Sequence, residues 1–253
     1  MSCGSSNDDM GFLRRQEGLE SQRLEETWKR VLTRCFQRID EMAFDTCYEC
    51  GIGTACGCPS YTLGMGGSTA LLVILTEETI IVANCGNSRA VLSRGGEVIS
   101  LSIDHKPDRP DERARIEACG GQVLFGGCAR VQGILAISRA IGDKYLKKYI
   151  TSEPEFTFIK RQWEEDELLI IASDGLWDVL SNEMACRVAR EFLHGDNLAG
   201  NHSSRPSTST TAVPPYPSAS ASASLLVQLA MEQNSPDNIS VIVVDLKTNS
   251  TRL

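Results

Sequence analysis

Three aspartates stand just past or just before an apolar run, at its junction with a turn. Asp174 closes the run of Ile170-Ile171-Ala172-Ser173-Asp174-Gly175-Leu176-Trp177-Asp178, Asp143 ends Ser138-Arg139-Ala140-Ile141-Gly142-Asp143, and Asp237 sits in Ser235-Pro236-Asp237-Asn238-Ile239. A carboxylate at the mouth of a buried strand loses hydration at a cost of several kcal/mol unless a cation or hydrogen-bond donors compensate it. Three such corners suit an oxygen-ligand metal site. Magnesium or manganese, hard cations that take carboxylates and retain waters, fit better than zinc, which prefers nitrogen and sulfur. Spacing alone leaves a second reading open, because each Asp-Gly or Asp-Asn also fits an ordinary turn.

The elements that would position these acids follow from periodicity. Over residues 18–44, Leu24, Trp28, Val31, Leu32, Cys35, Phe36, Ile39 and Met42 recur at three- and four-residue steps, which predicts an amphipathic helix. After Gly66-Gly67 the period changes: STALLVIL, TIIVANCG, SRAVLSRG and EVISLS are short, rich in β-branched residues and separated by turns, and read as an antiparallel meander. A second helix over 110–119 is framed by Pro110 at its first turn, Asp111 and Glu112 at its positive end, and Gly120-Gly121 beyond it. Strands are expected near 130–137, 155–159, 167–173 and 239–244, with helices near 182–194 and 221–233. The class is α+β, one domain over 18–247 with a disordered N-terminus (1–17), a Cys/Gly-rich loop (45–66) and a short tail (248–253). The Ser/Thr/Pro-rich stretch 196–220 has too little apolar surface to offset its ordering entropy and reads as a disordered, tolerated insertion.

Composition narrows the partners. A chain of 253 residues with 42% hydrophobic and 23% charged residues can bury one sizeable core. The net charge of -8, with no basic run, argues against nucleic acid, and no apolar run approaches a membrane span or signal-peptide core. A cytoplasmic or nuclear location is expected. Of the ten cysteines, six are scattered singly, as small core hydrophobes are. The others, Cys47, Cys50, Cys56 and Cys58, allow a four-thiolate zinc site, although the one-residue gap of the second pair makes tetrahedral closure awkward; reduced thiols are the other reading.

Six motifs in order carry a resemblance. GGSTA (66–70), VANCGNSRAVLSRGG (82–96), DHKPDRPDERARIEACGGQV (104–123), ARVQGILAISRAIGDKYLK (129–147), ASDGLWDVLS (172–181) and SPDNISVIVVDL (235–246) together resemble the metal-dependent protein phosphatases of type 2C. The likeness is nearest to plant members, especially the abscisic-acid co-receptor clade. It implies two packed antiparallel sheets with helices on both outer faces. It also implies hydrolysis of phosphoserine or phosphothreonine by a metal-activated water, with two Mg2+ or Mn2+ ions per complete site. By motif match Asp174 and Asp237 would ligate one core metal, and Asp143 would share a weaker third metal with Asp174. Phosphorylated proteins, protein kinases or hormone receptors are the partners it implies.

Departures from the family pattern carry their own expectations. The family's opening strands, with a phosphate-binding arginine, an acidic ligand and an Asp-Gly-His-Gly-Gly metal-bridging turn, have no counterpart here, so the chain reads as lacking its N-terminal strands. None of His105, His194 and His202 is followed by Gly-Gly. No catalytic residue is assigned, and the alternative is a non-catalytic pseudophosphatase or binding module that uses the retained surface. Asn87 stands where the family usually has an aspartate, expected to pair with Arg89. The flap between Gly121 and Ala129 lacks the tryptophan with which the co-receptors engage their receptor; Phe125 is the residue that could substitute for it, and a core strand residue is the favoured reading.

Overall fold

Alternation along the central strands sorts side chains into separate cores. In β10 (Asp166–Ala172), Leu168, Ile170 and Ala172 face one cluster while Leu169 and Ile171 face another, the period-two pattern of a strand buried on both sides. β3 (Thr79–Cys85) behaves the same way: Ile80 and Val82 point inward, and Ile81, Ala83 and Cys85 point outward. The computed structural model describes residues 6–44, 66–194 and 218–247.

The strands form a four-stranded sheet ordered β11-β10-β4-β5 and a three-stranded sheet ordered β2-β3-β9, all neighbours antiparallel. The remaining members are β2 (Ala70–Leu75), β4 (Arg89–Arg94), β5 (Glu97–Ser100), β9 (Glu155–Lys160) and β11 (Val241–Asp245). Between the sheets lie Ile80, Val82, Ala90, Leu92, Leu101, Leu169 and Leu246. Each Leu or Ile fully buried there contributes about 1.5–3 kcal/mol relative to exposure. Helices α3 (Asp174–Trp177), α4 (Asn182–His194) and α5 (Ala219–Glu232) cover the outer face of the first sheet, and α1 (Ser6–Phe44) covers the second. The layer order is helix, sheet, sheet, helix, an α+β sandwich as expected.

Several local expectations are corrected. The meander is split: β3 and β4 are consecutive but lie in different sheets, because the chain turns across the sandwich at Gly86, whose φ is +124°. Helix α1 begins at Ser6 rather than residue 18, with Asp8 and Asp9 at its positive end and no proline along its length to break it. On α1 only part of the predicted apolar stripe is covered; Trp28, Leu32 and Phe36 pack on the sheet, whereas Leu24, Val31, Ile39 and Met42 are exposed. The strand read over 130–137 ends early. β6 (Val123–Phe125) and β7 (Ala129–Val131) form a hairpin, after which Gln132 and Gly133, at φ 52° and 73°, break the run. Phe125 is 65% exposed and is not a core residue.

Helix α2 spans Pro110–Ala118, with Asp111 and Glu112 in its first turn, and Gly120 follows at φ 78°. α5 starts beneath a Ser218 cap whose Oγ accepts the Ala221 N–H. Among the described cysteines Cys85 and Cys186 are buried, and burial pushes both thiols up to about 12; Cys35, Cys119 and Cys128 are exposed rather than core. Cys47, Cys50, Cys56, Cys58 and most of the 196–220 stretch lie outside the described residues. Among the described residues no helix is long and apolar enough to cross a membrane.

Candidate functional site

The predicted acids come to one end of the sandwich. β10 ends where β11 begins, with Ala172 opposite Val241, so Ser173-Asp174-Gly175 and Asp237-Asn238 leave the same edge of the same strand pair. Ala172 also lies opposite Arg89, which places the Gly86-Asn87-Ser88 turn at that end. β1 (Gly67–Ser68) pairs with β8 (Ile141–Gly142) and feeds directly into β2, so Asp143 emerges beside the start of the second sheet. The Thr69 and Ser88 hydroxyls, 2.8 Å apart, bridge these corners.

Gly175 is what lets two of the acidic corners meet. A Cβ on Gly175 would collide with the Asn238 carbonyl, so the backbones approach too closely for any side chain there. Ser235 Oγ donates to the Gly175 carbonyl at 2.6 Å, and Ser173 Oγ donates to Asn238 O while accepting from Ser240 N. Asp237 is exposed and its Oδ1 accepts the Asn238 N–H at 2.7 Å.

Asp174 has a partner that sequence reasoning missed. Asn87 Nδ2 donates to Asp174 Oδ2 at 2.6 Å. The expected pairing of position 87 with Arg89 is corrected: Arg89 binds Asp104 through two hydrogen bonds of 2.9 Å, donates to Asn182, and lies over the Trp177 ring. A fork-shaped guanidinium satisfies the more distant carboxylate, leaving Asn87 to face the acid across the turn. Asp178, one turn along from Asp174, lies 3.6 Å from Lys106.

Asp143 is the most constrained acid. It has φ 51°, its N–H binds Gly66 O, and its carboxylate occupies the space a Cβ on Gly67 would fill. Burial raises its pKa, opposed by Lys147 and reinforced by Asp40. Asp40 of α1 is itself buried; Oδ1 accepts the Gly142 N–H at 2.8 Å, and the carboxylate lies 2.6 Å from Lys147 Nζ. Position 40 continues the Trp28, Leu32, Phe36 face at four-residue spacing, so an acid on an apolar stripe was the available signal.

Behind these corners lies a buried polar network. His105 is fully buried, with Nδ1 3.0 Å from the Gly86 N–H. Nδ1 is equally 3.0 Å from the Gly86 carbonyl, so it accepts from the amide or donates to the carbonyl according to the tautomer, and the buried Nε2, 3.2 Å from Glu155 Oε2, makes no hydrogen bond among the described residues. Burial, with Arg139 and Arg109 nearby, lowers its pKa to about 4. Glu112 is buried too; burial pushes its pKa up, but hydrogen bonds from Arg139 and Arg115 win and hold it at about 2.

The donor set suits a hard divalent cation in kind. Carboxylates gather at one sheet end, and Asp143 is a desolvated acid of the sort a cation stabilises. Among the described residues no three of His, Cys, Asp and Glu converge into a set that could hold a metal ion. Magnesium does not demand one, since it takes one or two carboxylates and completes its shell with water and phosphate oxygens.

A helix-covered pair of antiparallel sheets with acids at one end defines an α+β sandwich, and the relatives narrow it. The family model for Protein phosphatase 2C matches residues 5–239. The chain is 51% identical over 239 residues to Probable protein phosphatase 2C 75 of Arabidopsis thaliana, covering 93% of this chain and 57% of that one. It is 47% identical over 228 residues to Protein phosphatase 2C 50 of Oryza sativa subsp. japonica, covering 88% and 58%. It thus spans little more than half the length of these relatives. A solved serine-threonine phosphatase 2C from Toxoplasma gondii shares the fold, with TM-score 0.68, 21% identity, and coverage of 89% of this chain and 69% of that one. The chain belongs to the protein phosphatase 2C family.

Proposed function

We propose that the chain takes part in metal-dependent hydrolysis of phosphoserine and phosphothreonine in proteins, with Asp174 and Asp237 as ligands of one Mg2+ or Mn2+ and Asp143, with Asp174, of a weaker one. The carrying observation is the approach of Gly175 to Asn238, which holds the Asp174 and Asp237 corners together. A bound cation would supply Lewis-acid activation of water and neutralise phosphoryl charge. The chain's own residues do the holding: Asn87 fixes one oxygen of Asp174, and Gly67 leaves room for the Asp143 carboxylate.

One observation favours a second reading, a non-catalytic module that binds phosphoproteins, kinases or receptors. Asp174 already receives a short hydrogen bond from Asn87 and is in part satisfied without a cation. Turnover of a phosphothreonine peptide with Mn2+ separates the two. The expected result is Mn2+-dependent hydrolysis that Asp174→Asn lowers at least roughly 10²-fold. No Asp174-dependent turnover would leave the binding module. The proposed setting is the cytoplasm or nucleus, near the abscisic-acid co-receptor clade. The exposed Phe125 is the hairpin residue proposed to meet a receptor, and Phe125→Ala without effect on receptor capture would remove it.

A further inference from the structure

We infer that Asp40 of α1 is a positioning residue for the Asp143 metal corner, acting through the backbone of Gly142 and the ammonium of Lys147. It rests on the reading of Asp143 as a cation ligand.

Asp40 is buried and continues, at four-residue spacing, the face through which α1 packs Trp28, Leu32 and Phe36 on the second sheet. A carboxylate in that place is costly unless it is matched, and its two partners both belong to the segment that carries Asp143. Oδ1 accepts from Gly142 N at 2.8 Å, and Lys147 Nζ lies 2.6 Å away. The contacts therefore clamp the chain on both sides of Asp143.

The clamped segment is one that needs holding. Gly142 and Asp143 both have positive φ, 83° and 51°, and the second is uncommon for a residue with a side chain. The β1–β8 pairing here is only two residues long on each strand. Asp143 N–H adds a bond to Gly66 O, and the Lys144–Leu146 turn follows immediately. Removing the Asp40 oxygen leaves the Gly142 N–H buried without its acceptor, at the residue before the ligand. Supporting groups of this kind govern how well a ligand meets its cation.

The test is Mn2+ binding to the purified full chain, followed by electron paramagnetic resonance, with Asp143→Asn defining the Asp143-dependent site. Asp40→Ala should weaken that site about 10- to 100-fold and speed amide exchange at Gly142 at least roughly tenfold, while leaving Asp143-independent Mn2+ binding as in wild type. If Asp40→Ala does not fold, Asp40→Asn decides: it keeps an acceptor for Gly142 but loses the ion pair, and a several-fold weakening is expected. Wild-type affinity at the Asp143-dependent site in whichever variant folds overturns the role of Asp40. Equal Mn2+ binding by wild type and Asp143→Asn instead overturns the ligand reading, and Asp40 is then an anchor of the fold alone.

Discussion

At Asn87 a side-chain amide gives Asp174 a 2.6 Å hydrogen bond, where the family pattern has an acid. Asn87→Asp would place two carboxylates in that contact, and like charges so close repel unless a proton or cation lies between them. The expected cost is about 1–3 kcal/mol in EDTA, read as a lower melting temperature that millimolar Mg2+ restores if Asp174 faces a cation site. A loss that Mg2+ does not restore counts against the metal assignment. Gly175→Ala probes the neighbouring contact. Its added methyl meets the Asn238 backbone rather than a side chain that could swing away, so about 1–3 kcal/mol of destabilisation is expected, measured by urea denaturation. A neutral result would mean the two corners are free to part.

His105 joins elements rather than residues, tying the loop before α2 to the turn between β3 and β4 through Gly86. Its pKa falls from 6.5 to about 4 in the folded chain because burial disfavours the charged ring. The unfolded chain therefore binds the extra proton first, and stability present above pH 6.5 is lost as pH falls toward 4. The loss is about 3 kcal/mol at most. Urea midpoints between pH 7 and 4 should show it, and His105→Gln should flatten that part of the profile; an unchanged slope assigns the acid sensitivity elsewhere. The sequence displayed some of this level plainly. Pro110 and Gly120 framed α2 because helix ends demand particular backbone chemistry, and the three acids were visible because each stands just past or just before an apolar run. Other features were hidden for physical reasons. Alternation assigns a residue to a face but not a strand to a sheet, so the separation of β3 from β4 was not readable. Arg89 reaches Asp104 fifteen residues away, and Asp40 reaches Lys147 through the fold; neither distance leaves a trace in local spacing.

At the scale of the molecule the two sheets are unequal, and the mismatch leaves a strand partly uncovered. Among the described residues four strands face three, with β11 at one edge of the larger sheet. By alternation Ile242 points the same way as Val244, which packs between the sheets, and Ile242 pairs with Ile171 on that face. Yet Ile242 is 58% exposed, because the smaller sheet does not reach over it. An apolar side chain beside an edge of β11 that pairs with no strand among the described residues is a template for association with another chain. Ile242→Lys should therefore shift the protein toward monomer in concentration-dependent light scattering, with a melting temperature within a few degrees of wild type, since little buried area is lost. Unchanged association would place the sticky surface elsewhere, for instance at the exposed Leu72 and Leu75 of β2. A collapse in stability would mean that Ile242 is covered in solution after all.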